Sequence, residues 1–210
     1  VRFSIMPPEK TIFTPPGELS SSQFALSPDG RSIVFVANAQ NGQPLLWVRS
    51  FDRFAGSPLS GTEGGIHPFW SPDGRSIAFF TTSSLKRIDL GGGPPQKLCD
   101  AVAGRGGAWS PSGVILFTHS ANTPIFRIPE TGGEPSPATQ FDRARGDDRH
   151  RFPQFLPDGK RFLYWARAPR TGATGIYVAT LDSLQGRLVV KGPAMGEYAC
   201  LLYTSDAADD

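Results

Sequence analysis

The amino-acid sequence predicts an all-β fold: a β-propeller of about four four-stranded blades, truncated from a larger propeller. Three observations carry this. A short phrase recurs as Ser27-Pro28-Asp29-Gly30, Ser71-Pro72-Asp73-Gly74, Ser110-Pro111-Ser112-Gly113 and Leu156-Pro157-Asp158-Gly159, at spacings of 44, 39 and 46 residues. A period of about 40–45 residues holding several short strands is what propeller blades produce. Each copy stands between two apolar runs, and no stretch of the chain sustains the i, i+3, i+4 pattern of an amphipathic helix.

The phrase reads as a turn. Proline pre-sets the first central position of a type I turn, and aspartate (Ser112 in the third copy) tolerates the second. Glycine takes the left-handed position that closes a bulged hairpin. Pro28, Asp29, Gly30, Pro72, Asp73, Gly74, Pro111, Gly113, Pro157, Asp158 and Gly159 are therefore structural turn residues. The preceding runs are Phe24–Leu26, Pro68–Trp70, Ala108-Trp109 and Gln154–Leu156; the following runs are Ile33–Val36, Ile77–Phe80, Val114–Phe117 and Phe162–Trp165. Such nearly continuous apolar runs suit strands covered on both faces by neighbouring blades.

A third strand is predicted at Leu45–Arg49, Leu85–Leu90, Ile125–Pro129 and Gly175–Thr180, and a weaker fourth at Ser57–Ser60, Gln96–Cys99, Ser136–Thr139 and Arg187–Val190. The organisation is then a lead-in strand in residues 1–21 and a propeller over 22–199. Its blades fall at about 22–60, 66–99, 105–139 and 150–190, with the start of a fifth behind them. Residues 200–210 break the pattern and resemble the translation of a sequencing adaptor, so they are read as a non-native tail. With no initiator methionine at Val1, the chain reads as an internal fragment.

Composition narrows function by exclusion. The chain has 210 residues, 24 glycines, 20 prolines and 19% charged residues, as an all-β, turn-rich fold would. A net charge of +2 makes no case for nucleic acid or a membrane surface. No apolar run reaches the roughly 18 residues of a transmembrane helix. No kinase motif, nucleophile elbow or calcium loop is present, so no catalytic residue is assigned and the fragment is expected not to be an enzyme. The three histidines, His67, His119 and His150, lack the close pairing of a zinc site, and neither a metal nor a cofactor is expected. The charged stretch Arg143–Arg151 reads as a solvated loop between blades.

One geometric expectation concerns binding. Aligned on the turn phrase, His67, Gly106 and Phe152 stand four positions before their Ser or Leu, where the chain enters an innermost strand. Those positions ring one mouth of a propeller channel, and convergent polar groups at a concave mouth bind ligands. His67, Arg105, Arg149 and His150 are the candidate ligand-binding residues. The partner is an unspecified protein or small ligand.

The turn phrase followed by an apolar strand resembles the TolB-type propeller repeat, a WD-like blade without the WD dipeptide, over roughly residues 22–190. A wider set is similar to the C-terminal propeller of bacterial membrane-anchored serine/threonine protein kinases of the acidobacterial type. It comprises Phe24–Gly30, Ile33–Ala37, Leu46–Arg49, Gly61–Gly64, Pro68–Phe80, Lys86–Leu90, Gly104–Gly107, His150–Gly159 and Gly175–Val178. Val1–Ile5 resembles the strand that opens that region. The resemblance implies a binding sensor propeller outside the cytoplasm, on a membrane-anchored parent kinase. Two other parents are weighed: a TolB-like periplasmic scaffold, and a prolyl-oligopeptidase-type serine peptidase.

Overall fold

A computed structural model describes residues 5–13, 23–39, 42–102 and 104–193. The described chain holds seventeen strands and no helix. In chain order β1 (Thr11–Phe13), β2 (Phe24–Leu26), β3 (Ser32–Ala39), β4 (Pro44–Ser50) and β5 (Ser57–Pro58) form the first sheet. The second holds β6 (Ile66–Trp70), β7 (Ser76–Phe80), β8 (Ser84–Asp89) and β9 (Gln96–Asp100). The third holds β10 (Gly107–Trp109), β11 (Val114–Thr118), β12 (Ile125–Pro129) and β13 (Ser136–Pro137). The fourth holds β14 (Arg149–Phe155), β15 (Arg161–Arg167), β16 (Gly175–Thr180) and β17 (Ser183–Lys191).

Every pairing within these sheets is antiparallel between successive strands, as propeller blades require, with one variation. β1 pairs with Ala37–Ala39 of β3 while β2 pairs with Ile33–Phe35 of the same strand. The two short strands thus share one edge of β3. The residues around Val1 and the tail from Cys200, both singled out in the sequence, lie outside the described residues.

The turn phrase works as a small hydrogen-bonded hub. Gly30, Gly74, Gly113 and Gly159 all have positive φ, between 64 and 77°. Each donates its N–H to the carbonyl of the first residue of its phrase, at 2.9–3.1 Å. The serine and aspartate have a purpose that turn propensity alone does not state. Ser71 Oγ donates to Asp73 Oδ1 at 2.6 Å and accepts the Ser76 N–H at 2.9 Å, while Asp73 Oδ1 accepts the Arg75 N–H at 3.0 Å. Ser27 and Asp29 repeat this with Ser32 and Arg31. These donors hold the Asp29 and Asp73 carboxyls below the usual carboxylate range. The third copy keeps the bridge through Ser110 Oγ and Ser112 Oγ at 2.8 Å. In the fourth, leucine cannot bridge, and Arg161 ties Asp158 instead, lowering that carboxyl to about 2.

The core lies between sheets rather than within them. Val34, Val36, Leu46, Trp70, Ile77, Phe79 and Ile88 fill the space between the first and second sheets. Phe69, Phe80, Leu85, Trp109, Ile115, Phe117 and Ile128 fill the next. Leu116, Ile125, Phe162, Tyr164, Ala166 and Tyr177 fill the third. Neighbouring residues of β7 and of β11 thus serve two different cores, because successive side chains of a strand point to opposite faces. Arginines on the third strands add repeated ties: Arg87 Nη1 donates to the Glu130 carbonyl at 3.1 Å, and Arg127 Nη1 to the Leu181 carbonyl at 2.8 Å. Among the described residues the fourth sheet makes no comparable packing on the first. Phe24 and Leu26 on one side and Leu184, Val189 and Val190 on the other stay exposed.

Replacing Gly74 by valine forces a β-branched side chain into the left-handed region, although its Cβ would meet only the Pro28 ring, at 3.9 Å. The expected loss is about 1–3 kcal/mol. Urea unfolding of Gly74→Val against the exposed control Arg75→Ala checks this. Equal midpoints would contradict the role given to the turn.

Candidate functional site

Four residues occupy one repeated position, four residues before the turn phrase: Gln23, His67, Gly106 and Phe152. The innermost strands that follow them, β2, β6, β10 and β14, lie side by side in that order. Three of these residues share an unusual backbone: φ is 51° at His67, 85° at Gly106 and 55° at Phe152. Pairing of β6 with β7 slips between Ile66 and Phe69, and pairing of β14 with β15 slips between Arg151 and Gln154. Each slip is a bulge with one residue turned to the left-handed region. Glycine accepts that state freely; histidine and phenylalanine hold it at a cost on the order of 1 kcal/mol, and the surroundings must impose it.

The surroundings do so by bonding across blades. Gln23 Oε1 accepts the His67 N–H at 3.3 Å, and Gln23 Nε2 meets His67 Nδ1 at 3.2 Å. The amide therefore donates to Nδ1, and the ring proton is assigned to Nε2. At the far side the Phe152 N–H donates to the Arg105 carbonyl at 3.4 Å, and Thr118 Oγ1 donates to the same carbonyl at 3.2 Å. Arg105 sits on a backbone pressed against the second blade: a side chain on Gly104 would collide with the Phe80 ring, and one on Gly107 with the Phe69 ring. The Gln23–His67 and Arg105–Phe152 pairs thus bridge the first blade to the second and the third to the fourth, and between them the Arg105 charge acts on His67. His67 is buried, and burial, seconded by the Arg105 charge, lowers its pKa to about 4.

Arg105 and Arg151 stand one residue before Gly106 and Phe152, at equivalent positions of adjacent blades. Arg151 is only 4% exposed. Its Nη2 donates to the Ala121 carbonyl at 3.2 Å, and its Nε has no partner; Arg105 Nε is likewise buried and unpaired. Burial, then the charges of Arg149, Arg105 and Arg167, push the Arg151 pKa down. Arg149 Nε pairs with Asp148 Oδ1 at 3.1 Å, and Arg167 Nη2 with Asp148 Oδ2 at 3.0 Å.

Of the sequence candidates, Arg105 lies close enough for its charge to act on His67, and Arg105 and Arg149 both act on Arg151. His150 lies elsewhere. It is fully buried, with Nδ1 at 2.8 Å from Thr139 Oγ1 and Nε2 at 3.2 Å from Asp147 Oδ2, between the rings of Phe141 and Tyr164. Burial holds its pKa below the ordinary value. Asp147, although buried, stays well below the usual carboxylate range because Arg145 and His150 bond it. Thr139–His150–Asp147 has the order of a nucleophile, base and orienting acid. But Thr139 has no exposure and its hydroxyl already accepts the Ile125 N–H, so the set ties loop to blade. Within the stretch Arg143–Arg151, expected as a solvated loop, Arg143 and Ala144 are exposed, but Arg145, Asp147 and His150 form a buried ionic knot. Gln23 and Arg151 escaped sequence reading although both carry its signal, the shared offset from the turn phrase. Among the described residues no three His, Cys, Asp or Glu side chains are arranged to hold a metal.

No family model matches the chain. A curated relative, the Bacillus subtilis (strain 168) protein YuxL, described as an uncharacterized peptidase, is 29% identical over 159 residues, covering 74% of this chain and 23% of YuxL. This chain therefore spans about a quarter of that relative. Among solved structures, a TolB protein from Agrobacterium tumefaciens superposes with a TM-score of 0.67 at 16% identity, over 82% of this chain and 66% of that one. A puromycin hydrolase superposes with a TM-score of 0.60 at 22% identity, over 80% of this chain and 28% of that one. The fold is thus that of a TolB-like propeller. These similarities correct the expectation of a non-enzyme: proteins that share this propeller include a peptidase and a hydrolase, although the shared part is the propeller alone.

The low pKa of His67 has a consequence for stability. Between pH 6.5 and about 4 the unfolded chain takes up a proton that the folded chain refuses, so stability falls as pH falls through that window. The share from His67 between pH 7.5 and 5 is about 2 kcal/mol. His67→Gln should flatten the dependence of the urea midpoint on pH by that share. Parallel profiles for variant and parent would contradict the buried, neutral histidine.

Proposed function

We propose that this chain is a polypeptide-binding propeller serving as the propeller part of a serine-peptidase-like protein. One observation carries the reading: the polar band from Gln23 to Arg151 is built across four blades on two left-handed residues other than glycine. Backbone strain of this kind clusters at ligand clamps and active sites, and that supports a binding role for the band. The likeness to a described peptidase over most of this chain points to polypeptide as the ligand class. In this reading the mouth selects which chain segments pass to a catalytic domain carried elsewhere in the parent.

The segments Pro68–Phe80, Gly104–Gly107 and His150–Gly159 favour a second reading, the sensor propeller of a membrane-anchored kinase. There the same mouth would bind polypeptide outside the cytoplasm. The two readings share the mouth and differ in the parent. A G-x-S-x-G-bearing domain after the propeller in the parent reading frame supports the first; a kinase domain and apolar span before it support the second.

Binding itself is tested by fluorescence anisotropy with labelled, reduced and carboxymethylated casein as an unfolded polypeptide. Saturable binding is expected. Gln23→Trp, which crowds the mouth, should weaken it at least fivefold, whereas Lys97→Trp on an exposed edge should not. No saturable binding, or equal effects of the two tryptophans, would overturn the reading.

A further inference from the structure

The arginines of the mouth are out of balance with their partners. The charges of Arg149, Arg105 and Arg167 all bear on Arg151, and the carboxylate that offsets them there, Asp148, is already engaged by Arg149 and Arg167. Arg105 makes no side-chain hydrogen bond among the described residues, and its Nε is buried. Arg151, nearly all of it out of water, spends one nitrogen on the Ala121 carbonyl and leaves Nε unpaired. An unsatisfied buried guanidinium nitrogen costs stability, and like charges pressed together cost more. Both costs are relieved together only by an anion that offers two oxygens to neighbouring guanidinium forks.

We propose that Arg105 and Arg151 form a carboxylate-binding subsite at the channel mouth, which anchors a bound polypeptide by its C-terminus or by an acidic side chain. The backbone is arranged to this end. The Phe152 N–H on the Arg105 carbonyl joins the backbones that carry the two arginines, the Arg105 charge acts on Arg151, and a matched left-handed residue follows each. Arg149, exposed enough to reach solvent and held by Asp148, supplies positive potential at the rim. The neutral His67 beside Arg105 adds no competing charge.

This subsite rests on the polypeptide-binding reading, and the test separates the two. Three fluorescein-labelled hexapeptides of Gly, Ala and Ser are titrated against the 210-residue chain: one with a free C-terminus, one amidated, and one amidated with a central Glu. At least one carboxylate-bearing peptide should bind ten times tighter than the plain amide, and which one does so identifies the source of the carboxylate. Arg105→Gln should erase that preference. Arg105→Lys, which keeps charge and bulk but not the fork, should keep less than a third of it, with a thermal melt confirming that each variant folds. Equal binding of all three peptides, or a preference that survives Arg105→Gln, overturns the subsite and leaves polypeptide binding standing. Binding of none overturns both.

Discussion

Everything in this protein depends on sheets that are apolar on both faces. In β7, Ile77 and Phe79 belong to the core shared with the first sheet, while Ala78 and Phe80 belong to the core shared with the third. A single blade with this pattern would leave one set in water. Burying one phenylalanine is worth roughly 1.5–3 kcal/mol, so the stacking of neighbours is what makes each sheet stable. The Phe80 ring shows the consequence. It meets Phe69 of its own sheet and Phe117 of the next, and it leaves room beside it only for Gly104.

That packing also places Arg105. Gly104 and Gly107 lie flat on two phenylalanines of the second blade, and this close approach brings Arg105 to His67 on one side and to Phe152 on the other. The turn phrase at the opposite end of each innermost strand holds the hairpin through serine and aspartate. The two ends of one strand therefore have different tasks. The turn end is a closed hydrogen-bonded hub, and the opposite end carries bulges and buried guanidinium nitrogens without partners.

The two ionic groups of the third and fourth blades make the contrast plain. Around Asp147, a carboxylate, Arg145 and His150 satisfy one another, and the knot is closed. Around Arg151, the one carboxylate, Asp148, is taken by Arg149 and Arg167, and the buried Nε atoms of Arg105, Arg151 and Arg167 have no partner. The first arrangement holds structure. The second is the arrangement on which the carboxylate subsite is proposed.

Much of the fold was legible in the sequence because the turn phrase is local chemistry. Proline, aspartate and glycine set their own backbone angles, and the apolar runs beside them need no distant partner to be recognised as strands. The four glycines with positive φ and the four sheets follow from that. The sequence also marked the position of His67, Gly106 and Phe152, since a repeat makes equal offsets equal places. It could not tell that His150 turns into a buried pair with Asp147, or that Arg151 faces Arg105. Adjacent residues of a strand point to opposite faces, and a bulge of one residue reverses which face is which. Only the stacking of one blade on the next decides where those side chains end, because Thr139 beside His150, and Ala121 and Arg105 beside Arg151, come from the third blade.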